Sequence, residues 1–201
     1  ELFRASVADA TIQISQFVFI RGGISIEKGV PVVEQLPGGG TRALDVLTIG
    51  ASDVHIFAGT GGPYWTDSNL DGVIDSNDTP DSGAAGVAFS GVTFGLAILR
   101  QTGVADPIEY LALKVTAATA SWVGFGSSFN LTLSNIVIEL NQATDPAGLV
   151  TAGDFTQMDG GGLSVSTGGT SVLIDFADKV ERVSVGTATL QVSNFLSISG
   201  G

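Results

Sequence analysis

The sequence predicts an all-β fold assembled from many short strands. Apolar and polar residues alternate with a period of two over several segments, as in strands that have one face against a core. These segments include 5–14, 47–56, 113–122 and 183–192. Glycine-rich stretches at 37–40, 59–62, 160–162 and 168–169 separate strand pairs and are typical of loops. We expect an elongated β-solenoid-like stack, with a β-sandwich domain in a tandem array as the alternative.

One segment also fits a helical pattern. Apolar residues at 108, 111, 112 and 115 follow the spacing of a helix face. We predict a strand there because residues 113–122 align with three other strand-like segments, and because Asp106-Pro107 is a common turn entry. A short helix over 152–158 is the one helical alternative.

A serine followed by Gly, Asn or Gln interrupts four of the alternating segments. These serines are Ser15, Ser90, Ser134 and Ser193. A small or turn-forming residue in mid-strand is typical of a bulge or corner where the chain bends. We therefore expect bends at these positions.

The composition excludes several classes of function. The 201 residues carry 8 basic and 20 acidic side chains, a formal charge of −12, one His and no Cys. These numbers argue against disulfides, thiol chemistry, His- or Cys-bound metals, and binding to nucleic acid or anionic membranes. No apolar run approaches the roughly 18 residues of a membrane span. Cations bound through oxygen are the ligands that this composition favours.

An internal repeat suggests how the chain is organised. Residues 6–23 align without gaps on residues 184–201, at an offset of 178, with ten of 18 positions identical. Unrelated segments share roughly one identity over this length. We expect 24–201 to be one repeat unit and 1–23 to be the end of a preceding unit or a donated strand. In a covalent array, a sequence like that of residues 24–29 would follow Gly201.

The strongest local motif is a calcium loop within an insertion at 59–86. Its spacing places oxygen ligands at loop positions 1, 3, 5, 7, 9 and 12, with Gly72 at the sharp turn. The predicted ligands are Asp67, Asn69, Asp71, the backbone carbonyl of Val73, Asp75 and Asp78. Leu70 and Ile74 are the expected apolar anchors. Glycine and proline flank the loop in place of helical patterns, so we expect a structural role for Ca²⁺ rather than a sensing one.

The loop resembles those of dockerins and EF-hands, although the last position holds Asp instead of Glu. The repeat, the loop, the acidity and the lack of cysteine together resemble the repeat regions of giant secreted or surface-anchored bacterial proteins such as calcium-dependent adhesins. This resemblance implies an extracellular or cell-surface structural module whose partners are identical neighbouring repeats or protomers. A subunit of a non-covalent filament or sheath is the alternative.

Catalysis is the class that the sequence supports least. His55 has no second His and no activated nucleophile beside it, and most other acids lie in turns or beside Gly. A carbohydrate-binding module is a second alternative, because Tyr64-Trp65 could stack on a sugar; packing of these rings onto the sheet is the reading we favour. We expect no enzymatic activity.

Overall fold

The computed structural model describes residues 2–72, 78, 81–158 and 160–201, with the side chain of Ser127 left out. Eleven β-strands and two short 3₁₀ turns make up the described secondary structure, which contains no α-helix. The predicted all-β class is confirmed. No helix in the described ranges has the length and apolarity needed to cross a membrane.

The strands follow one another along the chain with short connections in most places. Their bounds are β1 Phe3–Ile14, β2 Val18–Lys28, β3 Val32–Gln35, β4 Thr41–Thr60, β5 Ala85–Gln101, β6 Glu109–Val123, β7 Phe129–Thr144, β8 Leu163–Ser166, β9 Ser171–Ile174, β10 Val180–Val192 and β11 Leu196–Gly200. The 3₁₀ turns are Gly126–Ser128 and Phe155–Gln157. The segment with the ambiguous helical pattern is therefore a strand, as predicted, and the alternative helix over 152–158 is a single 3₁₀ turn.

One antiparallel sheet contains nine of these strands. Its order is β1-β2-β4-β5-β6-β7-β10-β11, and β3 pairs with the first residues of β4 beyond the end of β2. Strands β8 and β9 form a separate two-stranded sheet. Because neighbours in sequence are mostly neighbours in space, β1 and β11 lie at the two opposite edges of the large sheet.

The central strands are longer than the sequence suggested, because they bend and continue. β4 has 20 residues and β5 has 17. The ladders break where Asp53, Gly91 and Asn135 adopt positive φ values of 53°, 58° and 53°. Two of the four positions where we predicted bends, after Ser90 and after Ser134, are thus irregular positions of the ladder. The other two serines, Ser15 and Ser193, instead lie in the turns of edge hairpins.

Three groups of buried side chains form the core. The first lies between the early part of β4, the end of β5, the start of β6 and the β8–β9 hairpin, and includes Leu44, Leu99, Tyr110, Phe155 and Ile174. The second lies near the bends and includes Ala51, Val54, Val92, Ala117 and Ile136. The third comprises Phe57, Ala84 and Ala88, at the end of the sheet where the predicted calcium loop begins.

Candidate functional site

The predicted calcium loop connects β4 to β5, and strands flank it on both sides. The paired helices of a sensor EF-hand are therefore replaced by the ends of two neighbouring strands. Tyr64 and Trp65 precede the loop and pack against the third core group. The Tyr64 ring stacks on Phe57 at 5.8 Å, and the Trp65 ring contacts His55 at 5.0 Å. These two aromatic residues thus attach the loop to the sheet, which is the packing that we favoured over stacking on a sugar. Burial raises the pKa of Tyr64.

The first half of the loop is a tight turn around the Asp67 carboxylate. Its Oδ1 accepts a hydrogen bond from the backbone N–H of Asp71 at 3.2 Å, and its Oδ2 accepts one from Gly72 at 2.8 Å. Asn69 Nδ2 donates to Asp71 Oδ2 at 2.8 Å. Gly72 has φ of 87°, a conformation that glycine adopts without strain. The first, third and fifth predicted ligands are therefore close together.

Asp78 contacts Ser68, the residue that follows Asp67 at the beginning of this turn. Its Oδ1 accepts hydrogen bonds from the backbone N–H of Ser68 at 2.8 Å and from the Ser68 hydroxyl at 3.3 Å. The twelfth predicted ligand is thus brought beside the first. Of the other predicted ligands, Val73 and Asp75 lie outside the described residues.

The donor chemistry of the loop fits calcium, since Ca²⁺ prefers carboxylate and amide oxygens. Within the described part of the chain, however, no three His, Cys, Asp or Glu side chains form a ready metal cage. The expected apolar anchor Leu70 is wrong: its side chain is 86% exposed. It lies in the Asp-rich turn at a positive φ of 61°. The other expected anchor, Ile74, lies outside the described residues.

Arg21 on β2 connects the edge hairpin to the loop. Its Nη2 lies 3.1 Å from Asp9 Oδ2 and 3.7 Å from Asp67 Oδ2, and it donates to the carbonyl oxygen of Gly72 at 3.1 Å. The hydrogen bond to Asp9 and the nearby charges raise the pKa of Arg21. Arg21 is not among the predicted site residues. The sequence signal for it is a difference between the repeat copies, because Ser199 occupies the corresponding position of the second copy.

A cavity of about 240 Å³ remains between the loop and the edge hairpin. Thr11, Arg21, His55, Trp65 and Asp67 are among the residues that line it. The ion pairs of Arg21 with Asp9 and Asp67 place charges of both signs at its wall. The loop therefore contacts the hairpin through Arg21 and contacts β4 through its aromatic residues.

The two copies of the internal repeat form the same structure at opposite edges of the sheet. Residues 6–23 lie in the β1–β2 hairpin, and residues 184–201 lie in the β10–β11 hairpin. Gln13 Nε2 donates to the carbonyl oxygen of Ser15 at 2.8 Å, and Gln191 Nε2 donates to that of Ser193 at 3.4 Å. The φ values of the two serines are 55° and 45°. The turn is thus equivalent in the two hairpins.

The edge hairpins carry much of the exposed apolar surface. More than half of the exposed large hydrophobic side chains in the described residues belong to them or to Leu2. Among the described strands, β1 pairs only with β2, and β11 pairs only with β10. Unpaired edge strands bearing apolar side chains are templates for pairing with another chain.

Two ion pairs involve buried glutamates that the sequence did not single out. Glu34 is 5% exposed, lies 2.9 Å from Arg42 Nη1 and accepts a hydrogen bond from the Tyr110 hydroxyl at 2.9 Å. Glu139 is 7% exposed and accepts a hydrogen bond from Arg182 Nε at 2.7 Å. The second pair joins β7 to the β10–β11 hairpin.

Comparison with known proteins adds no relative to this description. The chain matches no family model, and no curated protein or solved structure is significantly similar to it. The fold and site define it as an antiparallel β protein with equivalent hairpins at its two edges and an Asp-rich loop against one of them.

Proposed function

We propose that this chain is an extracellular structural module that associates end to end with identical units and is stabilised by calcium. The observation that carries the proposal is the placement of the repeat copies. One copy lies beside β4 at one edge, and the other lies beside β7 at the opposite edge. A module whose two edges bear the same hairpin is suited to repetition along one direction.

The hairpin common to both edges indicates how units would continue. In a covalent array, one hairpin would serve as β10–β11 of the first unit and as β1–β2 of the next. The antiparallel sheet would then run without interruption from β7 of one unit to β4 of its neighbour. Such stacking would give a solenoid-like array, in which each unit is stabilised partly by its interface with the next. A row of separate sandwich domains is the alternative arrangement.

Calcium would stabilise the module by offsetting repulsion within the loop. Residues 67–81 contain five aspartates, and Arg21 is the basic residue that pairs with Asp67 in the described structure. Binding of Ca²⁺ to the folded form alone would raise the free energy of unfolding by mass action. Because the loop contacts β2 through Arg21, this stabilisation would extend to the edge hairpin.

A free subunit of a non-covalent filament is the second candidate. It is supported by the unpaired outer edges of β1 and β11 among the described strands and by the apolar residues on them. Val7, for example, is 52% exposed on β1. In this form, separate chains would meet through the same edges that a covalent array would join.

Sedimentation velocity at increasing protein concentration tests end-to-end association. We expect species larger than the monomer, and we expect Val7→Lys to shift the population towards monomer because a charge on an edge strand opposes pairing. Val104→Lys is the matched control, since Val104 is 47% exposed but lies in the connection between β5 and β6.

Two results would argue against the proposal. One is a single monomeric species at all concentrations, with and without Ca²⁺. The other is equal loss of association in the Val7→Lys and Val104→Lys variants, since this would place the contact away from the edge.

A further inference from the structure

We propose that the β1–β2 hairpin of one copy of this chain takes the place of the β10–β11 hairpin beside β7 of a second copy, in the register that β10 occupies. This inference rests on the proposed function and specifies how two units meet. β1 is the strand that docks, β7 is the strand that receives it, and an ion pair between Arg4 and Glu139 fixes the register.

The backbone register is the first argument. β10 pairs over its full length with β7, from Val180 opposite Asn141 to Val192 opposite Phe129. Subtracting the repeat offset of 178 places Leu2 opposite Asn141 and Ile14 opposite Phe129. β1 therefore covers the same length of β7 without insertion or deletion.

The irregularities of the two strands also coincide. The β10–β7 ladder is interrupted between Val185 and Thr187, around Gly186. The corresponding residue of the first copy is Ala8, and β1 shifts its own register between Val7 and Ala10. The register shift of β1 against β2 thus falls at the position where the β10–β7 ladder omits one pair.

Charge provides the second argument. Glu139 on β7 is buried, and a buried carboxylate needs a cationic or hydrogen-bonding partner. Arg182 supplies this partner through a 2.7 Å hydrogen bond from Nε. Arg4 lies at the same offset of 178 residues. Its side chain is 56% exposed and pairs with Glu27 of its own hairpin at 2.6 Å, and the five N–H donors of a guanidinium allow a second acceptor.

Apolar packing provides the third argument. Val180 and Val185 pack against the first and second core groups. Their counterparts in the first copy, Leu2 and Val7, are 56% and 52% exposed. Docking beside β7 would place both side chains against these core groups. Removing apolar surface from water favours this association.

The two hairpins differ at the residues that connect the first of them to the calcium loop. In the first copy Arg21 contacts the calcium loop and pairs with Asp9, where the second copy has Ser199 and Thr187. An incoming β1–β2 hairpin therefore keeps its own loop and its own β4. The joined sheet would run from β7 of the receiving copy through β1 and β2 to β4 of the incoming copy.

The same register applies to both forms of assembly. Between separate chains, the receiving copy releases its β10–β11 hairpin as the new hairpin docks. In a covalent array, one hairpin occupies both places and nothing is released. The pairing of Arg4 or its equivalent with Glu139 is common to both.

Disulfide trapping tests the register, and the absence of native cysteine makes it unambiguous. Ser184 lies opposite Val137 in the structure, so the proposal places Ser6 of a second copy opposite Val137. Copies with Ser6→Cys are mixed with copies with Val137→Cys, oxidised, and analysed by peptide mapping. Ser184→Cys with Val137→Cys in one chain is the control for geometry. Ser6→Cys with Thr132→Cys is the control for register, and we expect no trapping there.

Arg182→Ala in the receiving copy sharpens the test. It weakens the resident hairpin and leaves Glu139 without its arginine, so trapping by an incoming Arg4 should rise severalfold. Adding Arg4→Ala to the incoming copy should reduce this increase, because only the part that comes from a weaker resident hairpin then remains. A rise of the same size with and without Arg4, or no response to either substitution, would overturn the proposed ion pair and register.

The remaining outcomes separate this inference from the proposed function. If the wild-type chain associates but trapping at 6 and 137 is absent in every mixture, the exchange is wrong and end-to-end association stands. Trapping of Ser6→Cys with Ser197→Cys on β11 would show edge-to-edge addition and would likewise overturn the exchange. A wild-type chain that is monomeric and gives no trapping contradicts both.

Discussion

Arg21 and Asp67 connect the edge hairpin to the Asp-rich loop, with 3.7 Å between Arg21 Nη2 and Asp67 Oδ2. The two residues are far apart in sequence and belong to β2 and to the β4–β5 connection. Their contact means that a change in the charge of the loop is transmitted to an edge of the sheet. The proposed effects of calcium and the proposed contact between units therefore act on neighbouring parts of the molecule.

Calcium should raise the melting temperature of the chain. At a free concentration 100 times the dissociation constant, binding to the folded state alone adds about 2.7 kcal/mol, equivalent to about 5–10 °C for a protein of this size. Differential scanning calorimetry in excess Ca²⁺ and in EDTA measures this. Asp67→Asn should reduce the difference, whereas Asp106→Asn, at an exposed position between β5 and β6, should leave it unchanged. Equal melting temperatures in the two buffers would refute the calcium proposal.

Arg21→Met should destabilise the fold by about 1 kcal/mol, the range of partly exposed ion pairs. The loss should be larger in EDTA, because the guanidinium then offsets more of the loop charge. Urea denaturation with and without Ca²⁺ measures both values. The control is Arg100→Met, since Arg100 is 65% exposed and pairs with the exposed Glu109. An equal effect of Arg21→Met in both buffers would show that Arg21 and calcium act independently.

Tyr110 should make the fold sensitive to alkali. Burial, followed by the charge of Glu34, raises the pKa of Tyr110 above its ordinary value. Because the folded pKa exceeds the unfolded one, this contribution is fully present below a pH of about 10 and declines above it.

Chemical denaturation between pH 7 and pH 11 tests this dependence. Tyr110→Phe should cost about 1–2 kcal/mol at pH 7 through the lost hydrogen bond to Glu34, and should flatten the decline above pH 10. Tyr64→Phe is the comparison, since burial alone raises the pKa of Tyr64. A decline that is equally steep in Tyr110→Phe would contradict the assignment.

Gly91→Ala should destabilise the bend by about 1–3 kcal/mol, the cost of holding a non-glycine residue at positive φ. A Cβ atom there would also lie 2.9 Å from the Cβ of Ala118. Gly169→Ala is the control, because its backbone φ lies outside the left-handed region and nothing stands within 4 Å of the added atom. The melting temperatures of both variants test this prediction. Similar melting temperatures would show that glycine is not required at position 91.

Local patterns predicted the strands well. Alternation of apolar residues identified segments within β1, β4, β6 and β10, and the Ser-Gly and Ser-Asn pairs marked two of the bends. The same local signal could not distinguish a bend within a strand from a hairpin turn at Ser15 and Ser193. That choice depends on whether the following residues extend the ladder or reverse it, which is a property of the whole sheet.

The site was predictable where it depends on spacing along the chain. Asp67, Asn69 and Asp71 lie in one tight turn, and Asp78 accepts hydrogen bonds from the adjacent Ser68; their role as calcium ligands stays a prediction. The role of Arg21 depends on contacts between distant strands, as do the ion pairs of Glu34 and Glu139. Leu70 was predicted as an apolar anchor from the resemblance to dockerin loops, but in this Asp-rich turn its side chain is exposed.

Copies of the chain are proposed to continue one sheet through their edges. Backbone amide hydrogen exchange at low and high protein concentration tests whether the outer edge of β1 becomes paired. We predict that exchange slows in residues 3–14 of β1 at high concentration, because their outer edge becomes paired, while the β8–β9 hairpin is unchanged. Identical exchange of β1 at both concentrations, in the presence of Ca²⁺, would contradict the claim.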